Sequence, residues 1–136
     1  MSAIIANYEL VIKDGADPST STAAANLDAD RYSEIIPLER AFVGEIQMQF
    51  AAGPAGNMIF QVSNDFGVGD DKGVARINSE NLITNWADHT TTAVGSTETN
   101  YRIGLTDIGA RWGRLFFDRS TGTGAISSCR ANIKGW

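Results

Sequence analysis

The chain has 136 residues, of which 43% are hydrophobic and 20% charged, with one cysteine. A chain of this length buries about two-thirds of its unfolded surface in one core and is too short for two ordinary domains. Its net charge of -5, from 11 Lys and Arg against 16 Asp and Glu, argues against nucleic acid as a partner. No apolar stretch approaches the roughly 20 residues that cross a bilayer, so we expect no membrane partner.

The cysteine and the N-terminus indicate the compartment. Cys129 has no second cysteine to pair with, which removes the disulfides common in small secreted domains. The N-terminus lacks a basic region followed by a long apolar run, so it does not resemble a signal peptide. We therefore expect the chain to be made and folded in a cytoplasm.

The N-terminal part is predicted to be one strand followed by an extended segment. Tyr8, Leu10 and Ile12 share one face of a strand over residues 8–13, which ends in an Asp-Gly turn. Residues 16–30 are polar and small, which predicts a long surface loop or arm, with a short helical turn at 22–27 as an option. Residues 1–40 thus form a strand plus an extended loop or arm, and residues 41–136 form the body of the one domain.

The middle of the chain alternates as strands do. Apolar residues share one parity over residues 42–50 and again over 58–62, and the Gly-Pro-Ala-Gly-Asn step between them predicts a hairpin. A glycine-rich acidic loop follows at 65–73, then short candidate strands at 74–77 and 82–86.

The C-terminal third carries the clearest strand pattern. Residues 100–107 alternate, and the runs at 110–119 and 125–134 flank a Ser-Thr-Gly-Thr-Gly step that predicts a C-terminal hairpin. Seven or eight short strands without an amphipathic helix predict an all-β fold, a single antiparallel β-sandwich of jelly-roll or immunoglobulin-like type with an extended N-terminal segment.

The sequence shows no catalytic constellation, so we expect neither an enzyme nor a small-molecule substrate. His89 is the only histidine, and Cys129 alternates with small residues of the last predicted strand as a packed side chain does. One Cys and one His cannot complete a zinc site. No cofactor is expected.

Two acidic clusters supply the kind of oxygen ligands that calcium prefers. They are Asp65, Asp70 and Asp71 in the glycine-rich loop, and Asp28 with Asp30. Neither has the ligand order of an EF-hand. Solvated turns explain both clusters better, and calcium binding stays open.

Three tryptophans allow a carbohydrate-binding alternative. Trp86, Trp112 and Trp136 could stack on sugar rings, or one could fill the core while another packs at a subunit contact. Exposure of Trp86 and Trp112 separates these interpretations, because a sugar platform needs a flat exposed pair.

Residues 40–136 carry short motifs that recur together in one class of viral proteins. The motifs are Ser63-Asn64-Asp65, Asn85-Trp86, Tyr101-Arg102-Ile103, Arg111-Trp112-Gly113-Arg114-Leu115-Phe116-Phe117, Arg119-Ser120-Thr121-Gly122-Thr123-Gly124 and Asn132-Ile133-Lys134-Gly135. In this pattern the chain resembles the small β-rich virion structural proteins of tailed bacteriophages, such as head decoration or cement proteins.

The resemblance implies a capsid decoration or cement protein that binds and stabilises the outer surface of the phage head. Its implied partners are the major capsid protein and further copies of itself, as a homotrimer, on virions assembled in the bacterial cytoplasm. A tail-associated or fibre-base protein and a carbohydrate-binding adhesion module are the alternatives. The candidate partner-contact residues are Ile35, Ile36, Pro37, Leu38, Arg40, Trp112 and Trp136.

Overall fold

The computed structural model describes residues 3–13, 23–38, 41–64 and 85–135, with backbone alone for residues 3–6. These residues form ten strands and no helix, and so contain no helical segment that could cross a membrane. The strands are β1 (Ala3–Glu9), β2 (Ile12–Lys13), β3 (Arg31–Ser33), β4 (Ile36–Pro37), β5 (Ala41–Phe50), β6 (Ala55–Ser63), β7 (Ala87–Val94), β8 (Asn100–Leu105), β9 (Trp112–Thr121) and β10 (Ile126–Gly135).

The strands form two antiparallel sheets, which confirms the predicted all-β sandwich. The smaller sheet has the order β1-β10-β5-β8. The larger has the order β2-β3-β9-β6-β7, with β4 also pairing with β9. Between them lies a core built from the alternate apolar residues of each strand, which include Ile46, Met48, Phe60, Leu115 and Ile133. The opposite parity of every strand is left for the two outer faces.

Both predicted hairpins are wrong, although their four strands are present. β5 lies in the smaller sheet and β6 in the larger, and β9 and β10 are divided in the same way. β5 pairs instead with β8 and β10, while β6 pairs with β7 and β9. Alternation identifies a strand and its buried face, but it does not identify the strand's neighbours.

The two connections cross between the sheets side by side. Ala51 N donates to Ala125 O at 2.7 Å, which joins the start of one connection to the end of the other. Gly122 has a φ of 76°, and a Cβ there would collide with the carbonyl oxygen of Gly53. The glycine-rich steps that favoured hairpin turns therefore serve a close backbone contact between two crossovers.

The first predicted strand is divided in two, which also differs from the prediction. β1 belongs to the smaller sheet and β2 to the larger. Between them, Leu10 is buried in the core, and its backbone N donates to Cys129 O at 2.8 Å. The chain thus changes sheets at Leu10 while its apolar alternation continues.

The predicted arm is wrong for residues 23–38, which are integrated into the sandwich. Leu27 is fully buried, and the region contributes β3 and β4, both paired with β9. The buried Ser33 accepts a 2.8 Å hydrogen bond from Leu115 N through its hydroxyl oxygen. Residues 23–27 make isolated bridges to Lys13 and Ala125, so the optional helical turn is also wrong there. Residues 16–22 lie outside the described part of the chain.

One strand was missed by the sequence patterns. β7 covers the threonine-rich stretch of residues 87–94, for which no strand was predicted, and it forms an edge of the larger sheet. The acidic loop at 65–73 and the candidate strand at 74–77 lie outside the described residues, as does most of the candidate at 82–86.

Candidate functional site

A groove of about 670 Å³ lies on the outer face of the smaller sheet. Strands β1, β10 and β5 form it, and most of its side chains come from the outward parity of those strands. Its lining comprises Asn7, Tyr8, Glu9, Val43, Gly44, Glu45, Gln47, Arg130, Ala131, Asn132 and Lys134.

Strand register arranges the polar side chains of the groove in two rows. In one row Asn132 lies opposite Asn7 on β1 and Glu45 on β5. In the other, Arg130 lies opposite Glu9 on β1 and Gln47 on β5. Directly opposed residues on one face have Cβ atoms about 5 Å apart, so each row is a continuous set of amide and charged groups.

One acidic group of the groove is already paired. Arg102 on β8 donates from Nε to Glu45 Oε1 at 3.0 Å and from its terminal nitrogen to Oε2 at 2.6 Å. These hydrogen bonds hold the pKa of the Glu45 carboxyl below its usual value, and the charge of Lys134 lowers that pKa further. Glu45 is therefore ionised at neutral pH.

Asn132 has a buried acceptor with no partner. Its side-chain oxygen is shielded from solvent and accepts no hydrogen bond within the described residues. Leaving such an acceptor unsatisfied costs about 1–3 kcal/mol. Native structures rarely leave such an acceptor unpaired, so the position of the Asn132 amide is a feature that the fold alone does not explain.

The outer face of the larger sheet carries a stack of planar side chains. Tyr32 and Phe116 are stacked with ring centroids 4.6 Å apart. The Arg114 guanidinium carbon lies 4.3 Å from the Tyr32 ring centroid and 4.2 Å from that of Trp86. Arg114 Nε also donates to Gln61 Oε1 at 2.9 Å. Arg114 thus covers one face of Trp86, and the Tyr32 ring is in contact with both Arg114 and Phe116.

The tryptophans do not form the exposed pair that a sugar platform needs. Trp112 is 2% exposed and packs with Ile35 in a small cluster apart from the main core. Trp86 is half-buried against that cluster. Trp136 lies outside the described residues.

Most of the predicted partner-contact residues are buried. Ile36 and Leu38 belong to the main core, Ile35 and Trp112 to the small cluster, and Pro37 is half-buried in β4 against β9. Residues 35–38 thus attach the N-terminal region to the larger sheet, to which Trp112 itself belongs. Arg40, like Trp136, is outside the described residues.

His89 and Cys129 lie on strands of different sheets. His89 Nδ1 is 2.7 Å from Thr90 Oγ1, and its ring meets the edge of Phe60. Cys129 faces the core from β10, where burial raises the pKa of its thiol to about 12. A thiol of that pKa stays protonated at neutral pH and is a poor nucleophile.

The acidic cluster of Asp28 and Asp30 makes contacts that stabilise the fold. Asp28 pairs with Arg31, which lowers the pKa of the Asp28 carboxyl, and Asp30 accepts a 2.8 Å hydrogen bond from Arg119 N. Across the described ranges, no three His, Cys, Asp or Glu side chains are grouped as metal ligands. Asp65, Asp70 and Asp71 lie outside those ranges.

The groove residues were not singled out from the sequence. The available signal was the outward parity of β5 and β10, which repeats amides and charges, such as Glu45 and Gln47 on one strand and Arg130 and Asn132 on the other. The pattern of each strand suggested only a solvated face. Their adjacency, which joins the two sets into one groove, follows from the sheet order.

Comparison with known proteins gives structural neighbours only. No family model matches the sequence, and no curated protein matches it significantly. Among solved structures, chitosan-binding module 1 of a chitosanase/glucanase from Paenibacillus sp. IK-5 has 20% identity and a TM-score of 0.49, covering 98% of this chain and 92% of its own. The C-terminal domain of a chitobiase from Bacteroides fragilis has 13% identity and a TM-score of 0.48, covering 99% and 93%.

A third neighbour was solved with a sugar bound. Chitosan-binding module 2 of the same Paenibacillus enzyme, in complex with chitotriose, has 14% identity and a TM-score of 0.42, with coverage of 98% and 94%. At these identities and TM-scores the likeness does not determine what the present chain binds.

Proposed function

We propose that this domain is a non-catalytic carbohydrate-binding module whose ligand lies in the groove on the outer face of the smaller sheet. The observation that carries the proposal is a groove of about 670 Å³ lined by amide and charged side chains, with an unsatisfied acceptor at Asn132. Sugar hydroxyls both donate and accept hydrogen bonds, so a row of amides and charged groups suits them. Asn132 Oδ1 is shielded from solvent, so a sugar hydroxyl reaches it only when the amide turns toward the groove, and that contact would relieve the cost of the acceptor.

The groove favours recognition by hydrogen bonds over stacking on tryptophan. Asn7, Asn132 and Gln47 offer both donors and acceptors from three adjacent strands. The large aromatic side chains of the other sheet are engaged with Arg114 or with one another. We therefore place the ligand on the smaller sheet.

The test is affinity electrophoresis through gels that contain neutral, acidic or cationic polysaccharides. We expect at least one polysaccharide to retard the wild-type protein. Asn132→Ala should weaken that binding about 3-fold to 10-fold, the loss of roughly 0.5–1.5 kcal/mol for one hydrogen bond. It should leave the melting temperature unchanged or raised, because it removes an acceptor that the fold leaves unsatisfied.

Asn57→Ala is the matched control. Asn57 is an exposed asparagine on β6 of the other sheet, and we expect its variant to bind as the wild type does. Equal loss of binding in both variants, or no retardation by any polysaccharide, would overturn the proposal.

The predicted capsid and virion role stays a prediction. The buried positions of Ile35, Ile36, Leu38 and Trp112 remove the surface on which the proposed capsid contact depended. A copy number in the hundreds on purified virions would restore that function, with the major capsid protein as the partner and the capsid surface as the location.

A further inference from the structure

The groove holds two basic side chains that form no ion pair within the described residues. Arg130 and Lys134 lie on β10 on either side of Asn132, and all three line the groove. The two ion pairs within the described residues are Asp28 with Arg31 and Glu45 with Arg102. Neither Arg130 nor Lys134 takes part in them, although the protein as a whole is acidic.

The acidic groups around these two cations do not neutralise them. Glu45 is held by Arg102 in a two-point hydrogen-bonded pair, so its charge is largely compensated. Glu9 lies opposite Arg130 in the strand register, yet its carboxylate is not within ion-pair distance of it. Lys134 lies opposite Val43 on β5 and forms no ion pair, although it is close enough to Glu45 for its charge to lower the pKa of that carboxyl. Counting side chains, the groove and Arg102 contribute three positive and two negative charges.

The spacing of the two cations indicates a ligand with repeated acidic groups. Residues four apart on a strand are about 13 Å apart along it, which exceeds the reach of a single carboxylate. A chain with acidic groups on several successive units could meet both cations and leave hydroxyls for the amides between them. A cationic chain would be repelled by the same two groups, and a neutral chain would leave both unpaired.

We propose that the groove selects acidic polysaccharides, with uronate carboxylates bound by Arg130 and Lys134 on either side of Asn132. This inference rests on the proposed function and names the class of its ligand. It distinguishes the chain from the chitosan-binding modules among its structural neighbours, because chitosan is a cationic polymer.

Isothermal titration calorimetry at pH 7 tests the inference, with an oligogalacturonide, a neutral β-gluco-oligosaccharide and a chitosan oligosaccharide as probes. We expect the oligogalacturonide to bind at least tenfold more tightly than the other two. Arg130→Gln and Lys134→Gln should each weaken its binding about 10-fold, since each removes a charge-assisted contact. Raising the salt concentration should weaken the binding of the oligogalacturonide to the wild-type protein, because salt screens exposed charges.

Arg119→Gln provides the charge-matched control. Arg119 is exposed on β9 of the other sheet, so its loss changes the net charge equally without touching the groove. We expect its affinity to stay within about 2-fold of the wild type. Thermal unfolding of all three variants checks that each is folded.

The outcomes separate the two proposals. Equal or tighter binding of the neutral or cationic oligosaccharide overturns the acidic preference and leaves carbohydrate binding in place. Equal losses in Arg119→Gln and the groove variants, or equally tight binding of single-stranded DNA, would show attraction of a polyanion without a site and overturn the inference. Binding of none of the three oligosaccharides overturns the acidic preference, and it overturns the proposed function as well when no polysaccharide retards the protein in the gels.

Discussion

Arg114 is held on the outer face of the larger sheet by its contacts with two aromatic rings. Its guanidinium lies within about 4.3 Å of two ring centroids, those of Tyr32 and Trp86, and burial lowers the pKa of the group to about 10. The group remains charged at neutral pH. Its planar shape suits a position between two rings in a way that an ammonium group does not.

We therefore expect Arg114→Lys to lower the free energy of unfolding by about 1–2 kcal/mol, although the charge is kept. Urea denaturation measures the change. The matched variant is Arg102→Lys, which alters an exposed ion pair and should therefore change the free energy of unfolding less than Arg114→Lys does. If both variants have an equally small effect, the stacking of Arg114 between the rings contributes no stability that a lysine could not supply.

At the scale of elements, the N-terminal region tests how far the fold depends on β3 and β4. Leu38 follows β4 and is 1% exposed, and its Cδ1 lies 2.8 Å from where a Cβ on Gly113 would stand. Leu38 and Phe60 together occupy the space that the glycine leaves on β9. This contact attaches the region to the larger sheet and would be absent in a free arm.

Leu38→Ala should lower the free energy of unfolding by about 2–5 kcal/mol, because it leaves a cavity in a packed core. Chemical denaturation gives the value. Phe42→Ala, which truncates a large side chain that is 38% exposed, is the control and should cost less. A loss below about 1 kcal/mol for Leu38→Ala would favour a loosely attached arm after all.

Strand patterns predicted the elements better than their arrangement. The alternation of apolar and polar residues predicted strands β5, β6, β8, β9 and β10 and their buried faces. This pattern depends only on residues that are neighbours in the sequence. Pairing is not local. The Gly-Pro and Ser-Thr-Gly steps are equally suited to a hairpin turn and to a crossover between sheets, so the hairpins were wrong.

The candidate site could not be predicted because it also depends on which strands are neighbours. Asn132 and Glu45 are 87 positions apart in the numbering and face each other only because β10 pairs with β5. Trp112, in contrast, drew attention by residue type, and it is buried. Residue type alone favours aromatic side chains, whereas a groove of amides and charges is visible only once the sheet order is known.

At the scale of the whole molecule, the two outer faces of the sandwich have different characters. The larger sheet presents planar side chains that are stacked on one another around Arg114. The smaller sheet presents polar groups that line a groove, among them two cations that form no ion pair within the described residues. We therefore propose the smaller sheet as the face that binds the ligand.

The most direct test of that assignment is a nuclear magnetic resonance titration of the ¹⁵N-labelled protein with an oligogalacturonide. We expect the largest amide shifts along the groove, at Asn7, Glu45, Gln47, Arg130, Asn132 and Lys134, with little change on β6 and β7. Shifts centred on Trp86 and Arg114, or at the ends of the sandwich, would contradict a ligand site on the smaller sheet. An unchanged spectrum at millimolar oligogalacturonide would show that the protein does not bind acidic oligosaccharides.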